Sequence, residues 1–133
     1  MKLDYAERAR ALVGTRFRPQ GRGPDGLDCV GVLVATFELD ERTVARNYRQ
    51  RGPALDTIHA ELMREFWRVP LTQLKCGDVM FMSIDERQAH LGVRTDAGFV
   101  HAHAGLRRVV ETPGMPEWPV LAVYRRRVRR RTN

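Results

Sequence analysis

The chain has 133 residues, 43% of them apolar, which suits one domain whose hydrophobic core needs no disulfide or metal staples. It holds no run of roughly 18 apolar residues and no apolar secretory signal near its N-terminus, so we expect cytoplasmic synthesis and no membrane partner. The net charge of +7 comes mostly from six arginines between residues 125 and 131, which argues against a basic nucleic-acid-binding domain.

Apolar residues at helical spacing dominate the first half of the chain. Three helices are predicted: residues 3–13, Cys29 to about Leu39, and a helix from Pro53 with the stripe Leu55, Ile58, Leu62 and Phe66. Asp28 precedes the second helix and can accept a hydrogen bond from a free backbone N–H of its first turn, as an N-cap does. Residues 14–27 are rich in glycine and proline and predict an extended loop.

After Pro70 the pattern changes to short apolar or alternating runs that are typical of strands. Five strands are predicted: "GDVMFMSI" (77–84), "HLGVR" (90–94), "FVHAHA" (99–104), "RVVE" (108–111) and "VLAVYRR" (120–126). The residues "TDAG" between the second and third predict a hairpin turn. Because helices come first and antiparallel strands follow, we predict an α+β fold with N-terminal helices packed on a C-terminal antiparallel sheet.

Cys29 falls at the predicted start of the second helix. Unpaired backbone N–H groups and the helix dipole favour negative charge there, which favours a reactive thiolate. A thiolate nucleophile needs a base that takes up and returns protons. The candidates for that base are the histidines of the predicted hairpin.

The hairpin brings three histidines to one face. If Asp96 and Ala97 form a two-residue turn, His90 lies opposite His103 and diagonal to His101. A slip of one residue would break this arrangement. The geometry offers a base, His90, and a second imidazole, His101 or His103, that can orient it, as in a nucleophile–base–orienter triad.

At these residues the chain resembles the NlpC/P60 family of papain-like cysteine peptidases. The resemblance rests on "GTRFRPQGRGPDGLDCVG", "GDVMFM", "AHLGV" and "GFVHAHAG", which follow the family's order over roughly residues 10–124. The family's usual forms are a Gly-Thr-Pro-Tyr loop, an Asp-Cys-Ser-Gly helix start, a Gly-Asp strand, a His-Val-Gly-Ile strand and a later His-Ala. The resemblance implies a papain-like peptidase domain over residues 1–125, with residues 126–133 as a basic tail.

The same resemblance implies hydrolysis of peptidoglycan stem peptides, typically between D-γ-glutamyl and a diamino acid, without a cofactor. Carried over by position, Cys29 is the nucleophile, His90 the general base and His101 the third polar residue. The thiolate attacks the amide carbon, an acyl-enzyme forms, and water releases it. His103 could replace His101 as the orienter or be a hydrogen-bonded neighbour at the substrate site.

Three further positions bear on substrate binding. Asp28 is retained from the family pattern, whereas Phe17 stands where the family has its loop tyrosine and Val30 where it has the serine after the cysteine. In relatives these groups help to bind the free amine end of the stem peptide. Their replacement leaves the catalytic pair intact and changes the expected specificity.

Two alternatives stay open. A zinc site that combines Cys29 with the hairpin histidines is disfavoured, because the sequence lacks a close-spaced ligand pair such as Cys-x-x-Cys, and no metal is expected. The replacements at Phe17 and Val30 also fit a structural or binding module of a phage-like tail that kept the fold without the activity.

The resemblance extends to a particular branch and context. Short length and a missing signal resemble the branch encoded in phage tail modules and gene transfer agents, which implies phage-like tail proteins as partners and incorporation into a phage-like particle. We expect the arginine tail to be a solvated end that attracts polyanions weakly. Cys29 and Cys76 are expected to be free thiols.

Overall fold

The computed structural model describes residues 4–19, 21–23, 25–39, 64–85 and 88–127. Its helices are α1 (Tyr5–Arg10) and α2 (Cys29–Phe37), with a short 3₁₀ turn at Leu71–Gln73. Its strands are β1 (Arg22–Gly23), β2 (Gly26–Leu27), β3 (Phe66–Val69), β4 (Val79–Asp85), β5 (Gln88–Arg94), β6 (Gly98–His103), β7 (Arg108–Pro113) and β8 (Val120–Arg126). None of the described helices is long and apolar enough to cross a membrane.

Strands β3 to β8 form one antiparallel sheet. Their order is β3-β8-β4-β5-β6-β7, while β1 and β2 form a separate two-stranded ribbon. Both helices pack against β5, and α2 also packs against β6. The predicted α+β fold, with N-terminal helices on a C-terminal antiparallel sheet, is confirmed.

Helix α2 begins and packs as its sequence predicts. The Asp28 side chain accepts a hydrogen bond from the Gly31 backbone N–H at 2.8 Å, so Asp28 is the N-cap. Gly31 is required for close packing, since an added Cβ there would collide with the carbonyl oxygen of Gly21. The helix ends at Phe37, two residues before the predicted end, because Glu38 adopts a left-handed conformation.

The sheet is covered on both faces. In β4, residues 79–82 are all buried although their side chains alternate between the faces. The face under the helices is packed by residues that include Cys29, Val30, Leu33, Phe37, Phe81, Leu91, Val93, Val109 and Tyr124. The opposite face carries a smaller cluster of Met80, Met82 and Phe99, against which Leu74, Trp118 and Val120 pack.

Two predictions about the first segments need correction. Helix α1 is shorter than residues 3–13, because Asp4 caps it by accepting from the Glu7 N–H and residues 11–14 form a turn that ends at Gly14. The segment 14–27 is more regular than a loop, since it contains the β1–β2 ribbon. These contacts join residues that the local sequence pattern does not relate.

The third predicted helix does not extend to Phe66, which lies in a strand instead. Phe66 is the first residue of β3, is fully buried and pairs with Arg126 of β8. Its ring lies edge-on to Phe37 at 5.0 Å between centroids, so α2 and β3 share it as core. The rest of the predicted helix, from Pro53 to Leu62, lies outside the described residues.

The segment before β1 extends the sheet at its β7 edge. Val109 N donates to Thr15 O at 2.8 Å, and Phe17 N donates to Arg107 O at 2.9 Å. Residues 14–17 therefore run antiparallel to the start of β7. The same segment then hydrogen-bonds to β2, directly before the start of α2, and so connects the sheet edge to that helix.

The last strand runs into the predicted tail. Arg126, which the sequence places both in the last predicted strand (120–126) and in the basic tail (126–133), is the last residue of β8. Arg127 follows it, and its backbone N donates to Glu65 O at 3.0 Å while its guanidinium stacks 3.9 Å above the Trp67 ring. Both residues therefore belong to the folded sheet.

Candidate active site

Two histidines from neighbouring strands share a hydrogen bond. His90 Nε2 of β5 and His101 Nδ1 of β6 are 2.8 Å apart, and their rings meet edge to face with centroids 5.0 Å apart. Both are buried, with 8% of His90 and 1% of His101 exposed. The structure therefore brings together two of the three residues proposed for catalysis and holds their rings in a defined relative orientation.

The hairpin turn sets this arrangement. Val93 pairs with Val100 and Arg94 with Phe99, which is the register predicted for a two-residue turn at 96–97. No further ladder pair joins β5 to β6 in the described chain, whereas β6 pairs with β7 along its whole length. The two strands therefore part where the histidines lie, and the imidazoles bridge the gap.

Thr112 of β7 continues the hydrogen-bonded chain, and the sequence analysis missed it. Its Oγ1 lies 2.7 Å from His101 Nε2. The β6–β7 ladder puts Thr112 opposite Phe99 and therefore on the same face as His101. The register of that ladder, which the local pattern of β7 does not reveal, is the signal that would have found it.

The three side chains allow one consistent assignment of hydrogen-bond donors and acceptors. His101 Nε2–H can donate to the Thr112 hydroxyl while His90 Nε2–H donates to His101 Nδ1. In this arrangement Nδ1 of His90 keeps its lone pair. That nitrogen can then accept a proton from a nucleophile.

Burial keeps both imidazoles neutral at neutral pH. It lowers the pKa of His90 from 6.5 to about 3, and charge on His101 and His103 would lower it in the same direction. It also lowers the pKa of His101 to about 4, with His103 contributing. A neutral imidazole is the form that acts as a general base.

Trp118 covers the histidine pair and was not singled out in the sequence. Its ring centroid lies 5.3 Å from that of His90 and 6.1 Å from that of His101, in both cases edge to face. Trp118 is half-buried and packs against Met80, Met82 and Phe99. It shields the imidazoles from solvent and contributes to the desolvation that holds them neutral.

Cys29 is the first residue of α2 and is 8% exposed. It belongs to the same buried cluster as Ala89, Leu91 and Ala102, which are the chain neighbours of His90 and His101. Helix α2, which begins at Cys29, packs on β5 and β6, the strands that carry the histidines. The thiol and the imidazole pair therefore come from elements that are in direct contact.

His103 is engaged elsewhere. Its Nδ1 accepts a hydrogen bond from Leu106 N at 3.1 Å, within the turn between β6 and β7. An added Cβ at Gly105 would approach its ring to 3.1 Å, so the glycine leaves room for the imidazole. The ring is 5.7 Å from that of His101, and His103 stabilises the turn while His101 contacts His90.

Three other residues assigned to substrate binding lie near the start of α2. Val30 is 3% exposed and packs in the core under the helices, and Phe17 is half-buried against the same core. Asp28 is 5% exposed, and its carboxylate caps the helix. Within the described residues, no group of three or more His, Cys, Asp or Glu side chains is placed to hold a metal ion.

Comparison with solved structures shows what this fold is similar to. The NlpC/P60 domain of the peptidoglycan hydrolase SagA has a TM-score of 0.58 and 19% identity, covering 83% of this chain and 86% of that one. NlpC2 from Trichomonas vaginalis has a TM-score of 0.67 and 17% identity, covering 92% of this chain and 44% of that one. An NlpC/P60 family protein from Bacillus cereus has a TM-score of 0.63 and 22% identity, with coverage of 92% and 39%.

The chain thus spans less than half the length of the T. vaginalis and B. cereus proteins. No curated protein matches it. Residues 14–122, which include all the site residues described above, match the sequence profile of the NlpC/P60 family. The chain therefore belongs to the NlpC/P60 family, whose members are generally cell-wall peptidases.

Proposed function

We propose that this protein is a cysteine peptidase that hydrolyses peptidoglycan stem peptides at a D-γ-glutamyl–diamino acid bond. The buried, hydrogen-bonded and neutral pair of His90 and His101 carries the proposal. In a nucleophile–base–orienter site the base, here His90, is hydrogen-bonded to an orienting group, here His101. Membership of the NlpC/P60 family supports the class of substrate.

In the proposed reaction, His90 Nδ1 accepts the proton of the Cys29 thiol. The thiolate sulfur attacks the carbonyl carbon of the scissile amide, and the carbonyl electrons move to oxygen. His90 then donates the proton to the leaving amine as the C–N bond breaks, which leaves an acyl-enzyme. Water, deprotonated by the same nitrogen, attacks the thioester, and the thiol is restored as the acid product leaves.

The surrounding groups assist each step. The backbone N–H of Cys29 lies at the first turn of α2 and can stabilise the oxyanion. His101 and Thr112 hold the tautomer and direction of His90, so they are positioning residues. Trp118 limits access of water to the imidazoles.

Turnover of a synthetic stem tetrapeptide tests the proposal. We expect the purified protein to release the γ-D-glutamyl product, and Cys29→Ala to release none under the same conditions. Cys76→Ala is the matched control, because Cys76 is also a free thiol but is exposed and lies outside the site. Equal turnover by wild type and Cys29→Ala would contradict the assignment of the nucleophile.

A second candidate function rests on Phe17 and Val30. Neither side chain offers the polar group that relatives use to bind the amine end of the stem peptide, and both pack against the core. This favours a binding or structural component of a phage-like tail that has lost turnover. Binding of stem peptide or assembly with tail proteins, without any hydrolysis by the wild-type protein, would support this alternative.

A further inference from the structure

Arg16 and Arg108 face each other at the β7 edge of the sheet. They are antiparallel bridge partners, and the two backbone bonds between residues 14–17 and β7 flank them on either side. They therefore form a non-hydrogen-bonded pair, the type whose Cα atoms are only about 4.5 Å apart and whose side chains lie closest. The two arginine side chains therefore leave the sheet from neighbouring positions on one face.

That face also carries the histidine pair. Arg108 is the ladder partner of His103, and ladder partners project to the same face. His101 precedes His103 by two residues in β6 and so shares the face. Arg108 is therefore a diagonal neighbour of His101, and such neighbours are about 7–8 Å apart, within reach of a long side chain.

The arginine pair lacks a compensating acid. Like charges directly opposite each other in a ladder are destabilising. No ion pair joins Arg16 or Arg108 to an acidic side chain in the part of the chain that the structure describes, although Arg10 and Arg125 both contact carboxylates there. Both side chains are exposed, and Arg108 Nε donates to Leu106 O in its own turn at 3.4 Å.

Neighbouring residues add to the positive potential. Arg107 is exposed and has a left-handed backbone (φ 58°), which places a third guanidinium at the turn before β7. Arg18 is exposed too, and its side chain runs over Gly26, where an added Cβ would meet the Arg18 Cδ at 3.5 Å. The cluster of Arg16, Arg18, Arg107 and Arg108 is thus built from two segments that meet beside the site.

We propose that Arg16 and Arg108 form a substrate subsite for a carboxylate, and that this protein selects stem peptides whose D-glutamyl α-carboxylate is free. The inference rests on the proposed function. A γ-linked glutamyl residue forms its amide through the side chain, so its α-carboxylate remains free a few bonds from the scissile carbonyl. Two neighbouring arginines can supply the paired N–H donors and the positive charge that bind a carboxylate.

The kinetic test compares two stem tetrapeptides that differ only in this group, one with D-glutamate and one with D-isoglutamine. We expect wild type to prefer the free acid about tenfold in kcat/KM, through KM, as expected for loss of one charged hydrogen-bonding partner. Arg16→Gln and Arg108→Gln should each remove the preference for the free acid. Arg68→Gln, an exposed arginine on the opposite edge strand β3, is the charge-matched control and should retain it. An unchanged preference in both site variants would overturn the subsite.

A binding test separates this inference from the proposed function. Cys29→Ala protein is titrated with the same two peptides by calorimetry at low and high salt. We expect tighter binding of the free acid, weakened by salt and lost on adding Arg16→Gln or Arg108→Gln. This result with no turnover by wild type would refute the peptidase and retain the subsite. Equal binding of both peptides would overturn the subsite whether or not wild type is active.

A stability measurement gives a third readout. Because the arginines repel each other in the free protein, Arg16→Gln should raise the melting temperature at low salt, and the gain should shrink as salt screens the charges. Arg68→Gln should show no such gain. A loss of stability in Arg16→Gln at low salt would mean that the pair is retained for folding and would count against a binding role.

Discussion

His90 and His101 are joined by a hydrogen bond of 2.8 Å, and the far nitrogen of His101 is held by Thr112 at 2.7 Å. The chain of contacts therefore runs across three strands, β5, β6 and β7. Each member fixes the ring direction or the tautomer of the one before it. This order predicts that loss of activity on mutation decreases along the chain.

His90→Ala is expected to lower kcat by about 10²–10⁴-fold, because a general base contributes on that order. His101→Ala should be milder, since His101 orients the base without moving the reacting proton. Thr112→Val should be milder still, and Thr112→Ser, which keeps the hydroxyl, should restore most of the activity. Steady-state kcat and KM for a stem tetrapeptide are measured for all four variants. A larger loss of kcat in His103→Ala than in His101→Ala would make His103 the orienter.

The pairing of His90 with His101 could be predicted from sequence because its determinants are local. Asp28 precedes an apolar run and caps it, and the two-residue turn at 96–97 fixes the register of the hairpin over a few residues. The diagonal placement of His90 and His101 follows from that register alone. Resemblance to the family then distinguished His101 from His103, which the register allowed equally.

The parts that were missed depend on contacts between distant segments. Phe66 forms a strand because β8, near the end of the chain, offers its edge, and nothing in the neighbouring sequence records that pairing. Thr112 joins the site only through the β6–β7 ladder, and Arg16 meets Arg108 only because residues 14–17 return to the sheet edge. Apolar periodicity identifies elements but leaves their non-local partners open.

Stability should depend on pH through the buried histidines. Their folded pKa values, about 3 for His90 and about 4 for His101, lie below the ordinary 6.5, so between these values the unfolded chain binds more protons than the folded one. The free energy of unfolding should therefore be highest above pH 6.5 and fall as pH decreases toward 4. The slope is at most about 1.4 kcal/mol per pH unit for each histidine.

Urea unfolding at pH 7.5, 6.0 and 5.2 checks this, because most carboxylates stay ionised over that interval. The variant His90→Gln/His101→Gln should show a flatter profile than wild type. Parallel profiles for wild type and the double variant would show that protonation of the buried pair does not lower the free energy of unfolding.

Restoring the family's residue at Phe17 and at Val30 should have different effects on activity and stability. Phe17→Tyr adds a hydroxyl to a half-buried ring at the edge of the core, and it should raise kcat/KM for stem peptides with a free N-terminal amine. Val30→Ser places a hydroxyl among apolar side chains at a site that is 3% exposed, and it should lower the free energy of unfolding by about 1–3 kcal/mol. Kinetics on free and N-acetylated peptides, with urea unfolding of each variant, test both. Failure of Phe17→Tyr to improve the free-amine substrate would indicate a pocket rebuilt for another ligand.

The end of β8 predicts where the chain can be shortened. Deleting residues 128–133 removes Arg129, Arg130 and Arg131 and leaves the contacts of Arg126 and Arg127 with β3 in place. This deletion should reduce retention on heparin, because arginines bind polyanions electrostatically, while turnover and unfolding stay as in the intact protein.

Deleting residues 126–133 should cost about 2 kcal/mol in addition. It removes the ladder partner of Phe66, the hydrogen bond to Glu65 and the stacking of Arg127 on Trp67. The hydrogen bond and the cation–π contact are each worth about 1 kcal/mol. Urea unfolding of the two shortened proteins measures the difference directly. Arg127→Ala in the intact chain measures the combined contribution of its stacking on Trp67 and its hydrogen bond to Phe66 O. Equal stability of both deletions would mean that β3 holds its place without the end of β8, and that the folded domain ends at residue 125 as the sequence predicts.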